Sequence, residues 1–334
     1  MFMPPVKVFL APRLGSEQDL RLLSYPSVAI VGRVEDADFV LVPQFVRGLS
    51  AKNASYIEDV RRLCEGSGKR GIILKGGDLS YKFQLPGFIV FASSIYCARN
   101  PEEIASPATT EDLSAKIPFV PRVKGEKPLV SFCGYAELDS WGARIKYVLK
   151  NLALDAAAFA THNPNLRAYK RGIYFRRKAM DVLARDPRID TAFIIRDTFS
   201  GKSGVQAPDP ERMRQEYLDN VVESDFVLCP KGDGNYSSRF YRALNMGRIP
   251  ILIDTDMALP FEKTLDYSKF ILRVPHTEIN RLSDIVADFY DSISNEEFQA
   301  MQERAREAFG QHLRHDVFFN EVLPLLKEQG PETF

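Results

Sequence analysis

The stretch DFVLCPKGDGNYSSRFYRALNMGRIPILIDTDMALPFE, residues 225–262, constrains the fold more than any other part of the chain. It opens with a short apolar run, Asp225–Pro230, that ends in proline, the profile of a buried strand. Two glycines and an Asn in Lys231-Gly232-Asp233-Gly234-Asn235 break any periodic element and make a loop. Ser237 or Ser238 is suited to cap a helix. Phe240, Ala243 and Leu244 then recur at helical spacing, and Gly247 stops the helix. Ile249–Ile253 is a second continuous apolar run, as expected of a strand buried on both faces. Strand, glycine-containing loop, helix and strand in that order predict a parallel α/β unit.

Such a loop gathers backbone N–H groups and a helix N-terminus in one place, which favours an anion. Arg239, in the first turn, adds a guanidinium that can hold a phosphate through two bonds. The expected device is a diphosphate cradle at the carboxyl end of a parallel strand, built from Lys231, Gly232, Ser237, Ser238 and Arg239. An ordinary βαβ unit in which Arg239 makes a structural ion pair has the same spacing.

The residue identities carry the reading further. Cys229, Pro230 and Gly232 end the strand, and Ser237, Arg239, Phe240, Ala243 and Leu244 fall on the helix. Gly247, Ile249, Pro250 and Asp254 follow, and Leu259, Pro260 and Phe261 close the run. In this order they resemble the donor-binding region of exostosin-type glycosyltransferases, and Leu265–Phe270 resembles the segment that comes next. ADFVLVPQF from Ala37, Gly76-Gly77-Asp78, DLSAKIPFVP from Asp112 and the strand ending Phe132-Cys133-Gly134 are similar to further parts of that family.

The resemblance implies an α/β, GT-B-like fold: two Rossmann-like domains with a cleft between them. It implies an enzyme that moves a sugar from a nucleotide-diphosphate sugar, a UDP-sugar favoured, to a glycan hydroxyl. The transfer is expected to invert the anomeric centre and to need no metal or other cofactor. By the same resemblance, Arg144 is expected to face the donor diphosphate. One position departs from the family, which usually has an acid where this chain has Arg242. An arginine cannot accept the ribose hydrogen bonds that an acid would accept. Arg242 lies one turn from Arg239, where it either adds a second cation near the phosphates or is a plain surface arginine. One rival reading follows from it, a non-catalytic nucleotide-sugar-binding or scaffold protein; a second alternative is a GT-B-like nucleotide-sugar epimerase.

The 334 residues suit two domains. Residues 1–126 read as an N-terminal, acceptor-side Rossmann-like domain, with strands at Val6–Leu10, Val28–Val31 and Ala37–Val42, the last closed by Pro43. Residues 127–310 read as the donor domain, and 311–334 as a C-terminal helix expected to return to the first domain. Lys+Arg and Asp+Glu both number 44, which leaves no basic field for nucleic acid. No apolar run is long enough to span a bilayer, and the N-terminus lacks the apolar core of a signal peptide. The expected location is therefore the cytoplasm, unless the chain is a trimmed form of a secretory-pathway enzyme. Cys64, Cys97, Cys133 and Cys229 form no CxxC pair, and read as mostly buried thiols.

An inverting transfer needs a general base beside the acceptor hydroxyl. Asp78 follows two glycines at a strand end, and Glu137 and Asp139 follow Gly134 in a similar place. These three are equal candidates, with His162 behind them. His312 and His315 sit three apart without an evident third ligand. Asp254-Thr255-Asp256 reads as a loop near the donor, not as a metal pair. Trp141, the only tryptophan, and Tyr135, Tyr169 and Tyr174 are candidates to stack on a sugar.

Overall fold

Continuous apolar runs become two fully parallel sheets in the computed structural model. The structure describes residues 4–14, 21–48, 50–76, 78, 85–98, 103–113, 116–137, 141–196 and 209–331. The chain divides into two units, and each sheet belongs to one of them. Unit 1 comprises Met1–Thr109, Met257–Leu265 and Gln311–Phe334; unit 2 comprises Thr110–Asp256 and Asp266–Gly310.

In unit 1 the strands are β1 (Val6–Leu10), β2 (Val28–Val31), β3 (Phe39–Val46), β4 (Arg70–Lys75), β5 (Phe88–Ala92) and β6 (Ile104–Ala105). Their order across the sheet is β2-β1-β3-β4-β5-β6. Pro43 does not close β3, as its sequence suggests. The strand continues to Val46, and the register against β4 shifts between Leu41 and Phe45. Proline has no N–H for the ladder, and a local irregularity lets the strand pass it. Helix α1 (Ala51–Ser67) starts where the Ser50 side chain accepts a bond from the Asn53 amide, and ends at Gly68 in the left-handed region. Its Tyr56, Ile57, Val60 and Cys64 pack with Val40, Val42 and Ile73.

A separate core of unit 1 contains Val8, Leu41, Ile72 and Phe91, and the last helix covers it with Phe318, Phe319, Val322 and Leu323. The His315 imidazole belongs to this packing: its Nδ1 lies 2.7 Å from the Tyr25 hydroxyl, and burial lowers its pKa to about 4. His312 stands 3.4 Å from Glu321. The two histidines therefore have separate partners, and no group of three metal-ligating side chains gathers among the described residues.

Unit 2 contains β7 (Leu129–Tyr135), α2 (Trp141–Ala160), α3 (Gly172–Leu183), β8 (Asp190–Arg196), α4 (Pro210–Val222) and β9 (Phe226–Cys229). It continues with α5 (Ser238–Asn245), β10 (Ile249–Asp254), β11 (Leu272–Pro275), α6 (Leu282–Ser292) and α7 (Asn295–Ala308). The sheet order is β11-β10-β9-β7-β8. The final helix, α8 (His315–Gln329), is the one that covers unit 1. Phe132, Phe226, Leu228 and Ile251 meet Phe175, Met180, Val286 and Phe298 in the main core of unit 2.

Unit 2 begins at Thr110, earlier than the expected residue 127. The reason lies in the irregular segment before β7, which is bonded to this sheet and its helices. Arg122 Nε reaches the buried Asp225 carboxylate at 2.8 Å, the Arg122 amide donates to Gln302, and Asn245 donates to the Glu111 carbonyl at 2.6 Å. Two units, each a parallel sheet covered by helices, give the chain an α/β class of fold. Among the described residues, no helix is long and apolar enough to cross a membrane.

Candidate functional site

The strand order of unit 2 fixes where a ligand fits. From β7 the chain moves outward to β8 on one side, and later to β9, β10 and β11 on the other. The switch point lies between β7 and β9, and open parallel sheets bind ligands outside the carboxyl ends of the strands at that point. Helix α5 begins there.

Arg239, in the first turn of α5, spans the switch point. Its Nη2 donates to the Cys133 carbonyl on β7 at 3.0 Å, and its guanidinium lies over the Phe132 ring, 4.2 Å from the centroid. Nε is buried and has no hydrogen-bond partner among the described residues. Room for the group comes from Gly134, where a Cβ would stand 2.6 Å from Nη2. Among the described residues the arginine is thus seated by a carbonyl and an aromatic ring, with no ion pair.

Ser237 precedes α5 in extended conformation, and its hydroxyl does not cap the helix. Ser238 is exposed beside it. A helix start without a side-chain cap offers its first-turn amides to an anion. Two other residues of the expected cradle are placed differently. The Gly232 amide donates to the Tyr236 carbonyl at 2.8 Å, so the loop closes on itself and that N–H is used. Lys231 is buried: its ammonium donates to the Ala168 carbonyl at 2.6 Å and lies 5.5 Å from the Phe175 ring centroid. As placed, it braces the loop from beneath.

Three features that hold this loop are not visible in local sequence. Gly172, at the start of α3, touches the loop backbone so closely that a Cβ would lie 2.1 Å from the Gly232 carbonyl oxygen and 2.4 Å from that of Lys231. Arg176, one turn later, donates to the Tyr135 carbonyl at 2.8 Å and, more weakly, to that of Lys231 at 3.5 Å. Asn235 ties the loop to the end of β10, donating to the carbonyls of Thr255 and Asp256 and accepting from the Thr255 hydroxyl at 2.6 Å. Asp254 is paired with Arg273 at 2.8 Å, and Asp256 is in the left-handed region, which Asp tolerates.

Burial shapes the titrations here. The Cys229 thiol is pushed up to about 12, which keeps it protonated at neutral pH. The Lys231 ammonium is drawn down to about 7, by burial first and by Lys150 next. A lysine with a depressed folded-state pKa binds fewer protons folded than unfolded between about 7 and its ordinary 10.5. Stability therefore rises with pH across that window, by at most about 1.4 kcal/mol per unit. Lys231→Met is expected to remove this slope between pH 7 and 9 in urea unfolding. An unchanged slope would mean that Lys231 keeps its ordinary pKa.

The remaining candidates are scattered. Arg144 is exposed in the first turn of α2, and Arg242 is exposed over the Tyr217 ring, 5.3 Å from its centroid. Glu137 is exposed just after β7. Asp78 is exposed after β4, in unit 1, and Asp139 lies outside the described residues. His162 is exposed with a positive φ of 51°.

The Exostosin GT47 domain profile matches residues 161–289, from before α3 into α6, a span that holds most of this site. That span is similar to an exostosin-type domain. An Exostosin-1 homolog of Caenorhabditis elegans is 28% identical over 122 residues, 36% of this chain and 31% of that protein. A probable glycosyltransferase of Arabidopsis thaliana is 34% identical over 73 residues, 22% of this chain and 16% of that protein. A probable glucuronoxylan glucuronosyltransferase of the same plant is 30% identical over 70 residues, 21% of this chain and 16% of that protein. The matched part therefore spans a third or less of these curated relatives. Among solved structures, Anabaena HepE in complex with UDP-glucose aligns with 98% of this chain and 100% of its own at 9% identity and a TM-score of 0.40. The matched span contains Gly172, Asn235 and Arg239, while Gly134 and the seat on β7 lie outside it, before α2.

Proposed function

We propose that the chain is a glycosyltransferase that moves a sugar from a nucleotide-diphosphate sugar to a hydroxyl of a glycan acceptor. The observation that carries this reading is Arg239, seated across the β7–β9 switch point with a buried Nε donor left over. The match to the exostosin domain profile and the relatives named as probable glycosyltransferases support it. Negative charge develops on the departing nucleotide diphosphate, and a preorganised guanidinium beside uncapped helix amides meets it there. On this reading the guanidinium and the helix amides meet that charge, and the reaction needs no metal. The donor is a UDP-sugar, and the glucuronosyltransferase names make UDP-glucuronic acid one of the first to try. The transfer inverts, with its base among Glu137, Asp139 and Asp78. Glu137 and Asp139 follow the strand that seats Arg239.

The test is UDP release from a set of UDP-sugars with an oligosaccharide acceptor, with and without EDTA. Release that depends on acceptor, persists in EDTA and yields the inverted anomer is the expected result. Conversion of donor without acceptor would instead make the chain an epimerase. Nucleotide binding without any turnover would make it a binding protein.

A further inference from the structure

Helix α2 is twenty residues long, about 30 Å. On one side it packs against the short 3-10 turn Pro164–Tyr169, and Asn151 and Ala158 are buried there. The main core of unit 2 takes no side chain from it. At 100° per residue, Trp141, Ile145, Val148, Leu149, Leu152 and Phe159 fall within one stripe about 100° wide, away from Asn151 and Ala158. Trp141 is 78% exposed and Phe159 81%, and none of the six is below 51%. An exposed apolar surface of this continuity marks a place where something binds.

Charge decides what binds. Arg144 lies near one edge of the stripe and Lys146 beyond the other, and both are exposed; Lys150 is on the opposite side of the helix. The helix has one acid, Asp155, which is held by Lys170 at 2.8 Å and Arg167 at 3.0 Å. A second copy laid on this face would set cations against cations. An aliphatic stripe with Trp and Phe at its ends and cations beside it has the chemistry of a helix lying in a lipid surface. We infer that α2 lies in the surface of a bilayer containing anionic lipid. The stripe enters the boundary between headgroups and acyl chains, and Arg144 and Lys146 reach toward the level of the phosphates. This places the site of unit 2 beside a membrane surface, and it does not depend on the donor chemistry.

Trp141 is the only tryptophan, so its fluorescence reports on α2 alone. Vesicles of phosphatidylcholine with roughly one-third phosphatidylglycerol are expected to shift its emission to the blue and to carry the chain upward in flotation. Phosphatidylcholine alone gives a smaller effect, and added salt weakens the binding. The double variant Leu149→Glu, Leu152→Glu is expected to bind the mixed vesicles at least tenfold less, with unchanged circular dichroism because both residues are exposed. Lys146→Glu narrows the difference between the two vesicle types. Two results would overturn the inference. One is a wild-type chain that neither shifts nor floats. The other is a concentration-dependent dimer that the leucine variant abolishes while vesicle binding is unchanged.

Discussion

Replacing Arg239 with alanine is expected to lower kcat/KM for donor turnover by about a hundred- to a thousand-fold, the range seen when one donor to a developing oxyanion is removed. The fall follows from the seat of the guanidinium. Its Nη2 is fixed by the Cys133 carbonyl and its plane by Phe132, so it waits at the switch point without reorganising when charge develops. Arg239→Lys keeps the charge but loses the planar fork, and belongs between the two extremes. The loss appears mainly in kcat if Arg239 meets the charge of the leaving group, and mainly in KM if it only holds the ground-state diphosphate. A variant that folds and turns over donor at the wild-type rate would remove Arg239 from the mechanism.

The second large effect is expected at Gly172, which contacts no donor atom in the reading above. An alanine there puts a methyl group 2.1 Å from the Gly232 carbonyl oxygen and 2.4 Å from that of Lys231. Both neighbours are backbone, so no flexible side-chain end can swing away. Either α3 lifts off or the loop after β9 moves. Overpacking of this kind costs about 3 kcal/mol. Thermal unfolding measures that cost directly, and titration with nucleotide measures the displacement of the loop. The expected outcome is a clear drop in Tm together with at least tenfold weaker binding. Normal Tm and normal affinity together would show that the close approach is absent in solution.

The class of fold was legible because buried parallel strands announce themselves as unbroken apolar runs. VKVFL, GIILK, FIVFA and IPILI all became strands. The end of β3 was hidden, since whether a chain continues past Pro43 depends on how the neighbouring β4 accommodates the shift. The start of α5 and the place of Arg239 followed from local spacing. What encloses them did not. Gly172 and Arg176 reach the loop from more than fifty residues away, and no local pattern records that approach. Lys231 shows the limit within a motif: its position in the loop was plain, but only the packing of Ala168 and Phe175 turns its ammonium inward. The apolar face of α2 was present in the sequence as well, yet the same spacing serves a helix packed on a core, and only its exposure separates the two.

The most direct measurement is a thermal-shift series with UDP, GDP, CDP, ADP and AMP, each with and without EDTA, on the wild-type chain and on Arg239→Ala. A ligand that binds only the folded state stabilises it by about 2.7 kcal/mol at a hundred times its Kd. The account predicts a rise in Tm with UDP that survives EDTA and disappears in Arg239→Ala. A wild-type chain that responds to none of the five nucleotides, or an Arg239→Ala chain that responds as the wild type does, would contradict it.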